Sequence, residues 1–306
     1  MRLLFLALTL IAACSDAGLP PESAPEIVAV KIGELEDPRI REASGLARSQ
    51  RGESTLWVIN DNGAKEWVHA ISPRGTRRGE FDLKKAKNRD WEDLASFTLD
   101  DTGYLLVADI GDNDAKYKSN TLYIVEEPQA EKKGEAKIAW KVKFKYPDGP
   151  RDAESVAVDT DNRRALILSK RDLPPVLYEV PLRPESDKTV TATWLGVITS
   201  LPPPSRQDVA FAPKTKDWYW QPVGMDISAD NRAAVILTYR AVYLYERQPD
   251  QDWFDALNSK PRRVSIGNMR NAEAVAFGDD SRRVVVTGEN KHSWILLIDF
   301  NEAPSK

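Results

Sequence analysis

Hydrophobic and polar positions follow one order five times along this chain. A short apolar run leads to a polar turn. A strongly apolar run follows and ends in charged or amide residues. The five copies are SGLARSQRGESTLWVINDNG (44–63), EDLASFTLDDTGYLLVADIGDN (92–113), ESVAVDTDNRRALILSKRD (154–172), VGMDISADNRAAVILTYRA (223–241) and EAVAFGDDSRRVVVTGENK (273–291). The turns DDTG, DTDN, SADN and GDDS, with a looser SQRGES in the first copy, are hairpin signals. A third apolar run follows each copy: WVHAIS, NTLYIVEE, PVLYEVPL, AVYLYER and SWILLIDF. The first four copies add a fourth: RRGEFDL, KIAWKVKFKYP, VTATWLGVI and RRVSIG. The last copy has none of its own, while EIVAVKIGE (26–34) stands without a partner near the start. Helical patterning is confined to DWFDALNS (252–259), enough for one or two turns.

A four-strand unit repeated about every 50–70 residues predicts an all-β chain folded as a β-propeller. The N-terminal strand would complete the last blade and close the ring, which removes exposed sheet edges. Five blades are favoured. Residues 199–222, with RQDVAFAPKTKDWYWQ, leave a sixth open, and a β-sandwich with irregular loops is the competing architecture. The expected organisation is a signal segment (1–13), a tether (14–26), one propeller domain (27–300) and a short tail (301–306).

In a propeller the innermost strand of each blade starts on the face where the second strand ends. The polar strand ends should therefore meet at one mouth of the central channel. The inner-strand starts carry Glu42, Ser44, Glu92, Asp93, Asp152, Glu154, Gln221 and Glu273. The second-strand ends carry Asn60, Asp61, Asn62, Asp109, Asp112, Asn113, Lys170, Arg171, Thr238, Tyr239, Arg240, Glu289 and Asn290. Like charges packed around a channel repel, and burial raises the cost. A hard cation relieves both terms, and Ca²⁺ accepts six to eight oxygen ligands in flexible geometry. The expected ligands are Asp61, Glu92, Asp109, Glu154 and Glu273, with Ca²⁺ preferred and Mg²⁺ the alternative. The competing reading is a water-filled mouth whose acids pair with Lys170, Arg171, Arg240 and Arg270. Asp112 is the expected general base and Lys170 the anion stabiliser, with a plain Lys170 salt bridge to Asp152 or Glu154 as the other outcome.

The N-terminus, MRLLFLALTLIAACSDAG, places Arg2 before about ten apolar residues and small residues before Cys14. LIAAC resembles a bacterial lipoprotein processing site, with Ile11 where Leu is usual. That resemblance implies acylation of Cys14, and Ser15 after it implies the outer membrane, facing the periplasm or the cell surface. Cys14 is the one cysteine, so no internal disulfide forms. With two histidines, His69 and His292, a zinc or copper centre is not expected. The formal charge is −4 and becomes −5 without residues 1–13, which hold one arginine and no acid, so nucleic acid is not the expected partner. A monomer is expected, meeting the membrane through its anchor and a small-molecule or envelope ligand at the channel mouth.

No G-x-S-x-G elbow, G-x-x-x-x-G-K-[ST] loop or G-x-G-x-x-G opening a helix accompanies the repeat. The motifs LWVINDNG, NRDWEDLA, VADIGDN, YPDGPRDAESVAVD and NAEAVAF instead resemble a widespread set of secreted or lipid-anchored bacterial propellers without an established activity. Ile59 departs from that set, which tends to carry His there. More remotely, the pattern resembles calcium-dependent propeller hydrolases: the paraoxonase and gluconolactonase group, phytase-like esterases and calcium-activated nucleotidases. That resemblance implies a channel calcium that activates an ester, lactone or phosphate bond. The expected function is a calcium-dependent ester or phosphoester hydrolase. The alternative is a non-catalytic envelope binding or scaffold propeller with structural calcium.

Overall fold

The structure, a computed structural model, describes residues 27–301 apart from 53, 204–205, 212–217 and 270. The signal segment, Cys14, the tether to residue 26 and residues 302–306 lie outside the described residues. Strand β1 (Ala29–Glu34) precedes the first blade. Blade one holds β2 (Ala43–Arg48), β3 (Leu56–Asn60), β4 (Trp67–Ile71) and β5 (Arg77–Asp82). Blade two holds β6 (Trp91–Leu99), β7 (Thr102–Asp109), β8 (Asn120–Glu126) and β10 (Ile138–Lys145), with β9 (Lys133–Glu135) in its last connection. Blade three holds β11 (Ala153–Asp159), β12 (Arg164–Ser169), β13 (Val176–Pro181) and β15 (Thr193–Val197), with β14 (Val190–Thr191) between the last two. Helix α1 (Arg206–Phe211) leads to blade four, β16 (Pro222–Ile227), β17 (Ala233–Thr238), β18 (Ala241–Glu246) and, after helix α2 (Trp253–Leu257), β19 (Arg262–Ser265). Blade five is β20 (Ala272–Phe277), β21 (Arg283–Gly288) and β22 (Trp294–Asp299), completed by β1.

These five sheets form a five-bladed propeller, and β1 pairs antiparallel with β22 as the unpartnered N-terminal run requires. Residues 206–211, which the sequence leaves open as the start of a sixth blade, are helical. Helix α2 matches the expected turn at 252–259; the Asp252 side chain caps it by accepting the Phe254 N–H at 2.8 Å. Two short strands depart from the repeat: β9 has no sequence signal, and β14 is the start of the run VTATWLGVI, split from β15. Strand β9 pairs parallel with β5 of blade one, and β14 pairs parallel with β10 of blade two. Each belongs to the following blade and covers the outer edge of the one before it.

Five core clusters hold the ring, one between each pair of neighbouring blades. Alternating side chains of one strand supply two of them. On β7, Leu105 and Val107 pack toward blade one, while Leu106 and Ala108 pack toward blade three. On β17, Ala234 and Ile236 face blade three and Val235 and Leu237 face blade five. A strand buried on both sides has no polar face to show, so runs such as YLLVA and AAVIL lack hydrophobic alternation.

The inner strands are stitched across the channel by side chains. Asp93 is fully buried, and its carboxylate accepts N–H groups from Leu94 at 2.8 Å, Val156 at 2.7 Å and Met225 at 3.2 Å, so one residue joins three blades. Asp226 does the same for blades four and five through Ile227 and Phe277, both at 2.8 Å. Ser44 donates its hydroxyl to the Trp91 carbonyl at 2.8 Å. These bonds satisfy inner-edge N–H groups and, at Trp91, a carbonyl that no neighbouring strand pairs.

Candidate functional site

Every inner strand slips register against its second strand at one place, leaving one extra residue. The extra residues are Ser44, Glu92, Glu154, Val223 and Glu273. A bulge of this kind re-aims a side chain. Glutamate occupies three of the five equivalent positions, and all three sit at the channel mouth. The residues just beyond the paired ends of the second strands are Asp61, Ile110, Lys170, Tyr239 and Glu289. Four of these five join the glutamates.

The carboxylates form a closed chain of neighbours. Oxygens of Asp61, Asp90 and Glu92 lie within 4.8 Å of one another, as do those of Glu92, Asp152 and Glu154, so Glu92 belongs to both groups. Glu154 and Glu273 act on each other electrostatically, as do Glu273 and Glu289, and Glu289 and Asp61. Lys170 is the buried cation among them. Its ammonium pairs with Glu154 and also acts on Glu273 and Glu92. It lies 5.6 Å from the Tyr239 ring centroid, and the Tyr239 hydroxyl donates to Glu273 Oε1 at 3.0 Å.

Crowding and burial push these acids toward their neutral forms. Burial raises Asp61 to about 7, with Asp90, Glu289 and Glu42 adding repulsion against the Asn62 N–H. Burial also raises Glu154 to about 7, although Lys170 pulls it down. Glu92 and Glu273 rise well above the ordinary glutamate range, through burial first and the Glu154 charge second. Burial acts against the charged form of Lys170, but Glu154 beside it holds the lysine above its ordinary value. The Lys170 ammonium and the Arg171 guanidinium, which pairs with Asp152 at 2.7 Å, thus face a larger number of mostly buried acids, an arrangement that an added cation would relieve.

Local sequence explains the close approach. A Cβ on Gly111 would lie 2.1 Å from Glu92 Oε1 and 2.6 Å from the Asp90 carboxylate, so only glycine lets both acids reach this point. Asn62 donates to Asp90 at 2.8 Å, and Asn88 donates to the Asp61 carbonyl at 2.8 Å, which ties the end of blade one to the start of blade two. The donors are carboxylate oxygens, without sulfur or imidazole, which suits Ca²⁺ or Mg²⁺.

Of the residues expected from the sequence, Asp61, Glu92 and Glu154 fall within the two close groups, and Glu273 adjoins them through Glu154. Lys170 lies among them, ion-paired to Glu154. Asp109 sits one shell away: its Oδ1 accepts the Asp90 N–H at 2.9 Å. Asn60 occupies the equivalent position in blade one and accepts the N–H groups of Arg41 at 3.0 Å and Glu42 at 3.2 Å. Asp112 is 1% exposed, and its two oxygens hold the N–H groups of Lys116 at 2.9 Å and Tyr117 at 2.7 Å. Its own N–H donates to Asp152 Oδ1 at 2.9 Å. Asp90 is the close-lying acid that the sequence reading does not single out. The repeated spacing Asp90-x-Glu92 and Asp152-x-Glu154 is the signal that marks it. Ile59 is buried in the core between blades one and two.

No protein-family model matches this chain, and no curated protein sequence matches it. Among solved structures, Chaetomium thermophilum Raptor aligns over 86% of this chain and 20% of its own length, at 11% identity and a TM-score of 0.36. The chain therefore spans about a fifth of that protein, and a likeness at this level carries no argument about function.

Proposed function

We propose that this chain is an outer-membrane lipoprotein, acylated at Cys14, whose channel mouth binds a divalent cation and hydrolyses an ester or phosphoester of an envelope component. Ca²⁺ is preferred over Mg²⁺ because the donors are many and converge from several blades. One observation carries the reading: Glu92 is shared by two carboxylate groups, buried except for Asp61, each with oxygens within 4.8 Å. Asp61, Asp90, Glu92, Asp152 and Glu154 would hold the cation. When bound, it would polarise a carbonyl or phosphoryl oxygen. Lys170 supplies a positive charge at the same place for an anionic oxygen. Glu273, whose Oε1 accepts from Tyr239, replaces Asp112 as the proton acceptor once a bound cation holds it ionised, because both Asp112 oxygens hold backbone N–H groups.

A second reading draws support from burial. Glu92, Glu154 and Lys170 are 5%, 6% and 7% exposed. A cation held that deep would tie inner strands together in a binding or scaffold propeller. Thermal unfolding after EDTA treatment, with Ca²⁺ or Mg²⁺ added back, tests the shared premise. A cation at about 100 times its dissociation constant should stabilise by ~2.7 kcal/mol, a shift of several degrees. Cation-dependent turnover of p-nitrophenyl acetate or p-nitrophenyl phosphate would favour the hydrolase. A melting shift without turnover would favour the scaffold. No shift with either cation would sink both.

A further inference from the structure

A cavity of about 370 Å³ opens at the outer part of blade two, and no acid of the carboxylate ring lines it. Strand pairing places it on the same face as the mouth: Asp109 faces Thr121, and Asn120 faces Phe144 at the blade's mouth-side end. Its volume falls in the range of small-molecule sites.

Its chemistry is the reverse of the ring. None of the residues lining it is acidic. Lys118 and Lys145 line it, and neither makes an ion pair among the described residues, although Lys116, Arg151, Lys170 and Arg171 do. Asn120 is 2% exposed; its Oδ1 accepts from Arg89 at 2.8 Å, which turns the amide nitrogen away as a spare donor. Tyr146 is 5% exposed, and its hydroxyl is buried without a hydrogen-bond partner among the described residues.

The wall is built rather than incidental. Arg89 lies 4.0 Å from the Tyr117 ring centroid and holds that ring from behind. Asp112 grips the Tyr117 N–H, and its own N–H is anchored on Asp152. Tyr146 packs against Tyr178 at 4.8 Å and Phe144 at 5.4 Å between centroids.

The geometry points to a second ligand site here, for a phosphate monoester carrying one ring-sized group. Lys118, Lys145 and Asn120 face the phosphate, and Tyr117 and Tyr146 flank the ring. Two lysines match a dianion, and an acid-free lining in a net acidic protein selects against cations. This site does not depend on the hydrolase reading.

Isothermal titration calorimetry on the full chain in EDTA, with phenyl phosphate, inorganic phosphate and phenol as probes, tests the site. Phenyl phosphate should bind about tenfold more tightly than either fragment. Lys118→Ala and Lys145→Ala should each weaken it by about tenfold while leaving the melting temperature unchanged, since both side chains are exposed. Asp61→Asn, in the ring, should leave binding unchanged. The inference is overturned if phenyl phosphate binds no better than phenol, or equally well in the double lysine variant. It is also overturned if Asp61→Asn abolishes binding, which would move the ligand to the ring.

Discussion

Replacing Asp61 by Asn probes the charge balance of the ring directly. Burial raises this carboxyl from an ordinary 3.8 to about 7, with Asp90, Glu289 and Glu42 adding to the effect. A carboxyl that holds its proton more tightly in the folded state makes stability fall as pH rises. Below 3.8 both states are protonated and Asp61 carries no penalty. Between 3.8 and about 7 the unfolded chain ionises first, and above about 7 the full penalty applies. About three pH units at ~1.4 kcal/mol each give an upper limit of ~4 kcal/mol. Asp61 is partly exposed, and solvent screening brings the expected value to ~2 kcal/mol. In EDTA at about pH 8, Asp61→Asn should therefore melt roughly 4–8 °C above wild type. At about pH 5 the gap should shrink to less than half, because wild-type Asp61 is then protonated. Calorimetric melts of both proteins across this range would read the effect. Saturating Ca²⁺ should reverse the order, since the variant loses a proposed ligand. A cation-free wild type equally stable at both pH values, or an Asn variant less stable than wild type at about pH 8, would refute the reasoning.

Gly111→Ala should push Glu92 and Asp90 apart, cost about 1–3 kcal/mol from overpacking and remove most of the Ca²⁺-dependent melting shift; the measurement is the melt with and without cation. Asp93→Asn should destabilise by about 2–4 kcal/mol in urea unfolding, because one amide oxygen cannot accept the three N–H groups that the carboxylate now serves. Lys170→Met should cost about 3–5 kcal/mol in cation-free melts at about pH 8, where Glu154 is left buried without its partner, and distinctly less at about pH 5, where Glu154 is protonated.

The repeat was legible because blade strands obey local rules. Turn residues mark the hairpins, and runs buried on both sides stay apolar throughout. The spare strand at 26–34 announced the closure that β1 makes with β22. That polar strand ends meet at one mouth followed from antiparallel order alone, so Asp61, Glu92, Glu154, Glu273 and Lys170 could be named together. Tertiary structure decided what each acid does there. Asp109 and Asp112 look like ring members in VADIGDND, yet the backbone turns one to the Asp90 N–H and the other to its own loop. Asp90 enters through the space beside Gly111, and the five bulges rotate one residue per blade without any sequence mark. The basic cavity of blade two joins residues from 117 to 191 that no local pattern connects. Sequence specifies which strands form because hydrogen bonding and burial repeat with the chain. Charge crowding depends on distances between blades, and those exist only once the ring has closed.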